Sequence, residues 1–247
     1  MSESHPLSSP MVVRSLNLDT DPFRPKEDGE DVLGPEVSYL SAIGTLMFSS
    51  CPTKRHWDGI KHVLRYLQGT KDLGLFYTNK NKDGLVGFAD VGYLSDPHNS
   101  RSQTGYVFTH GGTAISWRSM KQTLVATSSN HSEILAIHEA NRECVWLRSM
   151  IQHIRSDCGM IEDKGRTVMY EDNAVCIAQL KDGYIKGDRT KHILPKFFST
   201  HEMQKAAVVQ VVRSSDNSAD LFTKALPTAT LKKLIHQIGM RRLKDLQ

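Results

Sequence analysis

The chain reads as a mixed α/β domain whose sheet begins antiparallel and continues through alternating helices and strands. Two observations predict it. Short period-two apolar runs joined by tight turns fill residues 74–119, and from about residue 130 helical and extended patterns alternate. A meander followed by alternation favours a mixed sheet with helices packed on it.

The elements follow in order. Residues 1–36 are rich in Ser, Pro, Asp and Glu with few aromatics, and are expected to be a disordered tail. V-S-Y-L-S-A-I-G-T-L-M-F-S-S predicts one helix. H-W-D-G-I-K-H-V-L-R-Y-L-Q-G predicts a second, with Trp57, Ile60, Val63, Leu64 and Leu67 at helical spacing and Gly69 closing it. L-G-L-F-Y-T and G-L-V-G-F-A-D read as strands, with K-N-K-D-G as the turn between them. T-G-Y-V-F-T-H, the turn G-G and T-A-I-S-W-R-S read as a hairpin, which completes an antiparallel meander. A long helix is expected from about Asn130 to Ile154, with an apolar stripe of Ile134, Ile137, Ala140, Cys144, Leu147 and Ile151. R-T-V-M-Y-E-D is a strand and N-A-V-C-I-A-Q-L a short helix. K-H-I-L-P-K-F-F-S-T-H-E-M-Q is a helix if Pro195 sits in its first turn. A-V-V-Q-V-V is the last strand, a helix begins near Asn217, and another covers Leu231 to Ile238.

Composition narrows the function classes. With 247 residues and 39% hydrophobic content, the chain can bury a core of ordinary size. A net charge of +4 favours an anionic partner only mildly. Cys51, Cys144, Cys158 and Cys176 are widely spaced with no C-x-x-C pair, which argues against a zinc ribbon and for free thiols. No apolar signal segment opens the sequence, and no run approaches the roughly 18 apolar residues of a membrane span. The expectation is an intracellular protein, cytoplasmic or nuclear, that is neither secreted nor membrane-bound. P-loop, G-x-S-x-G and Y-x-D-D patterns are absent, which removes three classes of enzyme.

Four carboxylates fall at costly places. Asp90 ends G-L-V-G-F-A-D on the same face as Val86 and Phe88, and Asp172 ends its strand on the same face as Val168 and Tyr170. Glu133 lies in the first turn of the long helix, at the margin of its apolar stripe, and Asp220 in the first turn after Asn217. Each taken alone has an ordinary explanation. Strand ends are often acidic, and Asn130 with Glu133, or Asn217 with Asp220, fits a capping box. Taken together, two strand ends and two helix starts can converge at one sheet edge. Crowded carboxylates need a countercharge, and a hard divalent ion bound by oxygens suits them. Two such ions about 4 Å apart can clamp a phosphodiester.

Residues 79–227 resemble the ribonuclease H domain of copia-type long-terminal-repeat retrotransposon Pol polyproteins. The resemblance rests on seven blocks in fixed order: F-A-D-V-G-Y-L-S-D, R-S-Q-T-G-Y-V-F, A-I-S-W-R-S-M-K-Q, V-A-T-S-S-N-H-S-E, Y-E-D-N-A-V-C-I-A, D-R-T-K-H-I and S-A-D-L-F-T-K-A-L-P. Residues 39–70 resemble the segment that joins the reverse transcriptase to that domain. The resemblance implies a ribonuclease H-like five-stranded mixed sheet, three antiparallel strands followed by parallel ones, flanked by helices. It divides the chain into a tail (1–36), a helical remnant of the connection (37–73), the ribonuclease H-like domain (74–227) and a helical extension (228–247). The implied activity is metal-dependent endonucleolytic cleavage of the RNA strand of an RNA–DNA hybrid. Asp90, Glu133, Asp172 and Asp220 are the implied catalytic, metal-binding acids, holding two Mg²⁺ ions, with Mn²⁺ as a substitute. Ser128, Ser129 and Asn130 match positions at the substrate edge, where helix capping is an equally good account of the serines. Arg118, Lys121, Arg189 and Lys191 are candidate phosphate contacts. A reverse transcriptase module is an implied partner in the parent polyprotein.

The chain departs from the family pattern in three places. Stretches are missing between M-F-S-S-C and P-T-K-R-H-W and between Gln204 and Val208. The loop R-S-S-D-N-S also lacks the histidine that many cellular ribonucleases H carry before the fourth acid. His192 has no assigned role, and His131 with His138 makes a poor metal site without a third ligand. The alternative to an active hydrolase is therefore a truncated retroelement remnant, impaired in catalysis and at most a nucleic-acid-binding domain.

Overall fold

The computed structural model describes residues 5–11, 24–34, 53–78, 84–96, 98–161, 165–183, 193–203 and 207–246. The helix read at V-S-Y-L-S-A-I-G, most of the turn K-N-K-D-G, Cys51, Arg189, Lys191, His192 and the Gln204 side of the second gap lie outside these residues.

Five strands form the main sheet: β2 (Leu85–Asp96), β3 (Arg101–His110), β4 (Thr113–Lys121), β5 (Thr167–Glu171) and β6 (Ala207–Val211). Their order is β4-β3-β2-β5-β6, preceded in the chain by α1 (Lys54–Gly69) and β1 (Leu73–Leu75). β3 runs antiparallel to both β2 and β4, whereas β5 runs parallel to both β2 and β6. This is the five-stranded mixed sheet expected from the sequence, with three antiparallel strands followed by parallel ones and helices on its flanks.

Each face of the sheet is covered by a different part of the chain. Leu85, Ala89 and Phe108 pack against α2 (Ser129–Asp157) through Ile134, Ile137 and Cys144. The same core takes Ile177 of α3 (Ala174–Asp182) and Phe197 of α4 (Leu194–Met203). Pro195 lies in the first turn of α4, where its missing N–H costs no helical bond. On the opposite face, Phe88 and Val107 pack against Ala219 and Ile238, with Val86 and Tyr170 alongside. Those covering residues come from the 3₁₀ turn Ser218–Phe222 and from the end of α5 (Thr228–Gln237). No helix among the described residues is long and apolar enough to cross a membrane.

Two expectations need correction. The strand expected at L-G-L-F-Y-T does not join the meander. Only β1 is extended, and it pairs antiparallel with β7 (Met240–Arg242) in a separate two-stranded ribbon. The Phe76 N–H donates to the Gly239 carbonyl at 3.0 Å, and the Thr113 hydroxyl donates to the Phe76 carbonyl at 2.7 Å, so this backbone is satisfied away from β2. The antiparallel trio is β2, β3 and β4, and β2 continues past Asp90 to Asp96 before the chain turns back into β3. The second correction concerns the start of α2. Its N-cap is Ser128, whose hydroxyl accepts the His131 N–H at 3.2 Å, and Asn130 lies inside the first turn.

The described parts of the N-terminal segment run along α1. The His5 carbonyl accepts from Arg65 at 2.8 Å, the Ser9 carbonyl lies 3.1 Å from His62 Nε2, and Glu30 pairs with Arg55. Ile60 of α1 is buried against Leu33, Trp57 and Leu64.

Candidate active site

The two strand-end acids come from one register. β2 and β5 run side by side with Phe88 opposite Tyr170, so continuing each strand by two residues sets Asp90 beside Asp172. Glu133 arrives from α2. The Ser128 cap fixes where the helix begins, so Glu133 falls just past the first turn in which the sequence placed it, and the apolar stripe that follows from Ile134 turns its carboxylate toward the sheet edge. One carboxylate oxygen from each of Asp90, Glu133 and Asp172 lies within 4.8 Å of the other two. Among the described residues this is the one such group of three acids, histidines or cysteines.

Asp220 sits on the other side of Asp90. Asn217 caps its 3₁₀ turn, accepting from the Ala219 N–H at 3.1 Å, and donates through Nδ2 to the Ala89 carbonyl at 2.8 Å. The turn is thereby tied to the residue just before Asp90. Asp220 does not join the group of three. The Lys224 ammonium links it to Asp90, lying 2.6 Å from Asp220 Oδ1 and 3.0 Å from Asp90 Oδ1. The Thr223 hydroxyl donates to Asp90 Oδ2, so both oxygens of Asp90 are engaged.

Burial dominates the electrostatics. Asp90 is 1% exposed, Asp220 5% and Glu133 7%. Burial pushes the Asp90 carboxyl up to about 7, with Lys224 opposing the rise and Asp220 adding to it. Burial also pushes Glu133 up, to about 9, aided by the negative charges of Asp90 and Asp172. Burial raises Asp220 as well, against the pull of Lys224. Lys224 moves above the ordinary lysine range: its burial works against the charge, and Asp90 and Asp220 outweigh it.

Two participants escaped the sequence reading. Glu171, 0% exposed, points to the helix-covered side of β5; its Oε1 accepts from the N–H groups of Asp172 at 3.1 Å and Asn173 at 3.3 Å. Burial raises its carboxyl well above the ordinary range, and Glu133 and Asp90 add to that. The signal was available, because Thr167, Met169 and Glu171 alternate on the face that Val168, Tyr170 and Asp172 do not use. Lys224 was also readable, four residues after Asp220, where a helical turn brings opposite charges together.

The remaining candidates make other contacts. Ser128 caps α2, Ser129 is exposed beside it, and Asn130 donates to Gln179 Oε1 of α3 at 2.6 Å. Arg118 is exposed on β4, and Lys121 pairs with Asp96 at 2.6 Å. His131 Nδ1 lies 2.8 Å from the Thr127 hydroxyl and His138 Nδ1 3.2 Å from that of Thr200, so the two histidines meet different partners. Cys144, Cys158 and Cys176 are free thiols.

The donor set suits a hard divalent cation. All three ligand atoms are carboxylate oxygens, and Glu133 Oε2 is buried without a hydrogen-bond partner. Burial raises the Asp90 and Glu133 carboxyls, their mutual repulsion adds to the rise in Glu133, and a cation held by oxygens relieves both.

No protein-family model matches the chain. The Retrovirus-related Pol polyprotein from transposon TNT 1-94 of Nicotiana tabacum is 30% identical over 262 residues, covering 97% of this chain and 19% of that polyprotein. The corresponding polyprotein from transposon RE2 of Arabidopsis thaliana is 32% identical over 209 residues, 83% of this chain and 14% of that polyprotein. This chain belongs to the copia-type retrotransposon Pol family. It spans less than a fifth of the length of these two family members. The Secreted RxLR effector protein 161 of Plasmopara viticola is 40% identical over 130 residues, 45% of this chain and 92% of that protein. Among solved structures, the N-terminal RNase H domain of Rv2228c from Mycobacterium tuberculosis gives a TM-score of 0.42 at 12% identity, over 62% of this chain and 96% of that one. LC11-RNase H1 in complex with an RNA/DNA hybrid gives 0.41 at 16% identity, over 56% and 93%.

Proposed function

We propose that this domain is a divalent-metal-dependent endonuclease that hydrolyses the RNA strand of RNA–DNA hybrids. The observation that carries the reading is the convergence of Asp90, Glu133 and Asp172, with one oxygen of each within 4.8 Å of the others. These three residues would hold Mg²⁺, or Mn²⁺ in its place. When bound, such an ion supplies Lewis-acid polarisation of a phosphodiester and favours ionisation of a water. The reaction adds water across the P–O3′ bond: water oxygen joins phosphorus, the 3′ oxygen leaves with a proton, and the products carry a 5′ phosphate and a 3′ hydroxyl. No protein nucleophile takes part. Asp90 stands between the three-acid group and the Lys224–Asp220 pair, so it orients both halves of the site. The expected second ion would need Asp90 and Asp220, whose Oδ1 atoms Lys224 already contacts.

The substrate reading is built on the edge around the start of α2. Ser128, Ser129 and Asn130 would meet the hybrid there, at the positive end of the α2 dipole. An A-like hybrid is read through its minor groove and 2′-hydroxyls, and phosphate contacts from Arg118 and Lys121, with Arg189 and Lys191, would make binding salt-dependent. We assign the hydrolase to residues 74–227, the link to a reverse transcriptase module to 37–73, and a helical extension to 228–247.

Cleavage of a labelled hybrid in Mg²⁺ tests the proposal. The wild-type chain should release 5′-phosphorylated RNA fragments, and Asp90→Asn and Asp172→Asn should abolish cleavage while leaving the chain folded. A folded wild-type chain that binds hybrid without cutting it would establish the non-catalytic remnant instead.

A further inference from the structure

The acids of the site fall into two sets with different charge balance. Asp90, Glu133 and Asp172 face one another, and Glu133 Oε2 has no hydrogen-bond partner. Asp90 and Asp220 are bridged by an ammonium of the protein itself, at 3.0 and 2.6 Å. Lys224 is 35% exposed in its side chain and is held by more than its charge. Its N–H donates to the Asp220 carbonyl at 3.1 Å, and its neighbour Thr223 donates to Asp90 Oδ2. The segment carrying both residues lies flat on the sheet because two glycines leave room for it. A Cβ on Gly105 would come within 2.6 Å of Thr223 Cγ2 and 2.9 Å of Phe222 Cβ, and one on Gly92 within 2.7 Å of the Thr223 carbonyl oxygen. The Ser119 hydroxyl donates to the Phe222 carbonyl at 2.5 Å and fastens the segment from β4. A magnesium ion takes carboxylate oxygens at about 2.0–2.1 Å, so an ion bridging Asp90 Oδ1 and Asp220 Oδ1 would compete with this ammonium for the same two oxygens.

We propose that Lys224 is a tethered counter-cation that keeps the Asp90–Asp220 position in the working site, so the domain takes one divalent ion and supplies the second positive charge from its own chain. The inference rests on the three-carboxylate group being a cation site. Held by Asp90 and Asp220, Lys224 then places a fixed positive charge beside the three-acid group, where it offsets the negative charge of a bound phosphodiester.

Binding of Mn²⁺ to the full chain, followed by the electron paramagnetic resonance signal of the free ion, tests the assignment. Wild type should bind one ion per chain, Lys224→Arg should also bind one, and Lys224→Gln should bind two. Two ions on wild type with the affinities seen in Lys224→Gln would overturn the role of Lys224 and leave the three-acid site standing. No ion on wild type would overturn that site itself. Should Lys224→Gln not fold, wild type answers alone. Acylation of Lys224 by an amine-reactive reagent, read by mass spectrometry, should proceed at the same rate with and without saturating Mn²⁺. An increase of about tenfold would mean that the ion displaces the ammonium, contrary to the proposal.

Discussion

Asp90 makes the energetic problem of this site concrete: a carboxylate that is 1% exposed, at the end of a strand, is tolerable only with a countercharge. Three neighbouring acids share the problem, and pH should reveal it. Glu133 is raised from 4.5 to about 9 and Asp90 from 3.8 to about 7, so the folded state binds protons more tightly than the unfolded one. The resulting stability is fully present below the unfolded values near 4 and is lost as pH rises through about 7 and then about 9. In metal-free buffer, thermal unfolding should shift to lower temperature between about pH 5 and pH 8, and Mg²⁺ should reduce that shift. A melting temperature that rises with pH over this window would contradict the placement of these acids. Glu171 gives a second residue-scale prediction. Glu171→Gln keeps an acceptor for the Asp172 and Asn173 N–H groups and should cost under about 1 kcal/mol, whereas Glu171→Ala removes it and leaves a cavity, costing about 2–4 kcal/mol in urea unfolding. At this scale Asp90 and Asp172 were legible, because period-two alternation places them after apolar neighbours. Glu171 lies on the opposite face of that strand, where the pattern alone predicts an apolar core residue, and Lys224 is one of 31 Lys and Arg residues, most of which a sequence cannot distinguish from solvated charges.

The elements succeed or fail as predictors according to how local their causes are. α2, α3 and α4 start where caps or a first-turn proline place them, and the sequence carries those signals within a few residues. The exchange of Asn130 for Ser128 as the cap of α2 has the same local origin, since either residue type can accept an N–H. β1 is the opposite case. Its partner β7 lies near the other end of the chain, and nothing in L-G-L-F-Y-T distinguishes a ribbon with β7 from a place beside β2. Two substitutions test the elements that position the acids. Ser128→Ala should cost about 1 kcal/mol by loss of the α2 cap, read from the unfolding midpoint. Gly105→Ala should cost about 1–3 kcal/mol, because its methyl meets Thr223 and Phe222 and displaces the turn that carries Asp220.

Across the whole molecule, the sheet is a two-sided object whose second face depends on the C-terminal segment. Ile238 and Met240 cover Phe88 and Val107, on the face of β2 that also carries Asp90. A chain ending at residue 227 should therefore unfold at markedly lower denaturant than the full chain, although every site acid is retained. The mixed topology and the order of the acids were legible because seven sequence blocks carry them. The C-terminal cover was not, because its packing partners lie more than a hundred residues away. The central claim is that Asp90, Glu133 and Asp172 hold a divalent cation. Anomalous diffraction from crystals grown in Mn²⁺ measures this directly. The account predicts a single strong peak within bonding distance of oxygens from all three residues, with Lys224 still between Asp90 and Asp220. A peak elsewhere, or none at saturating Mn²⁺, would contradict it.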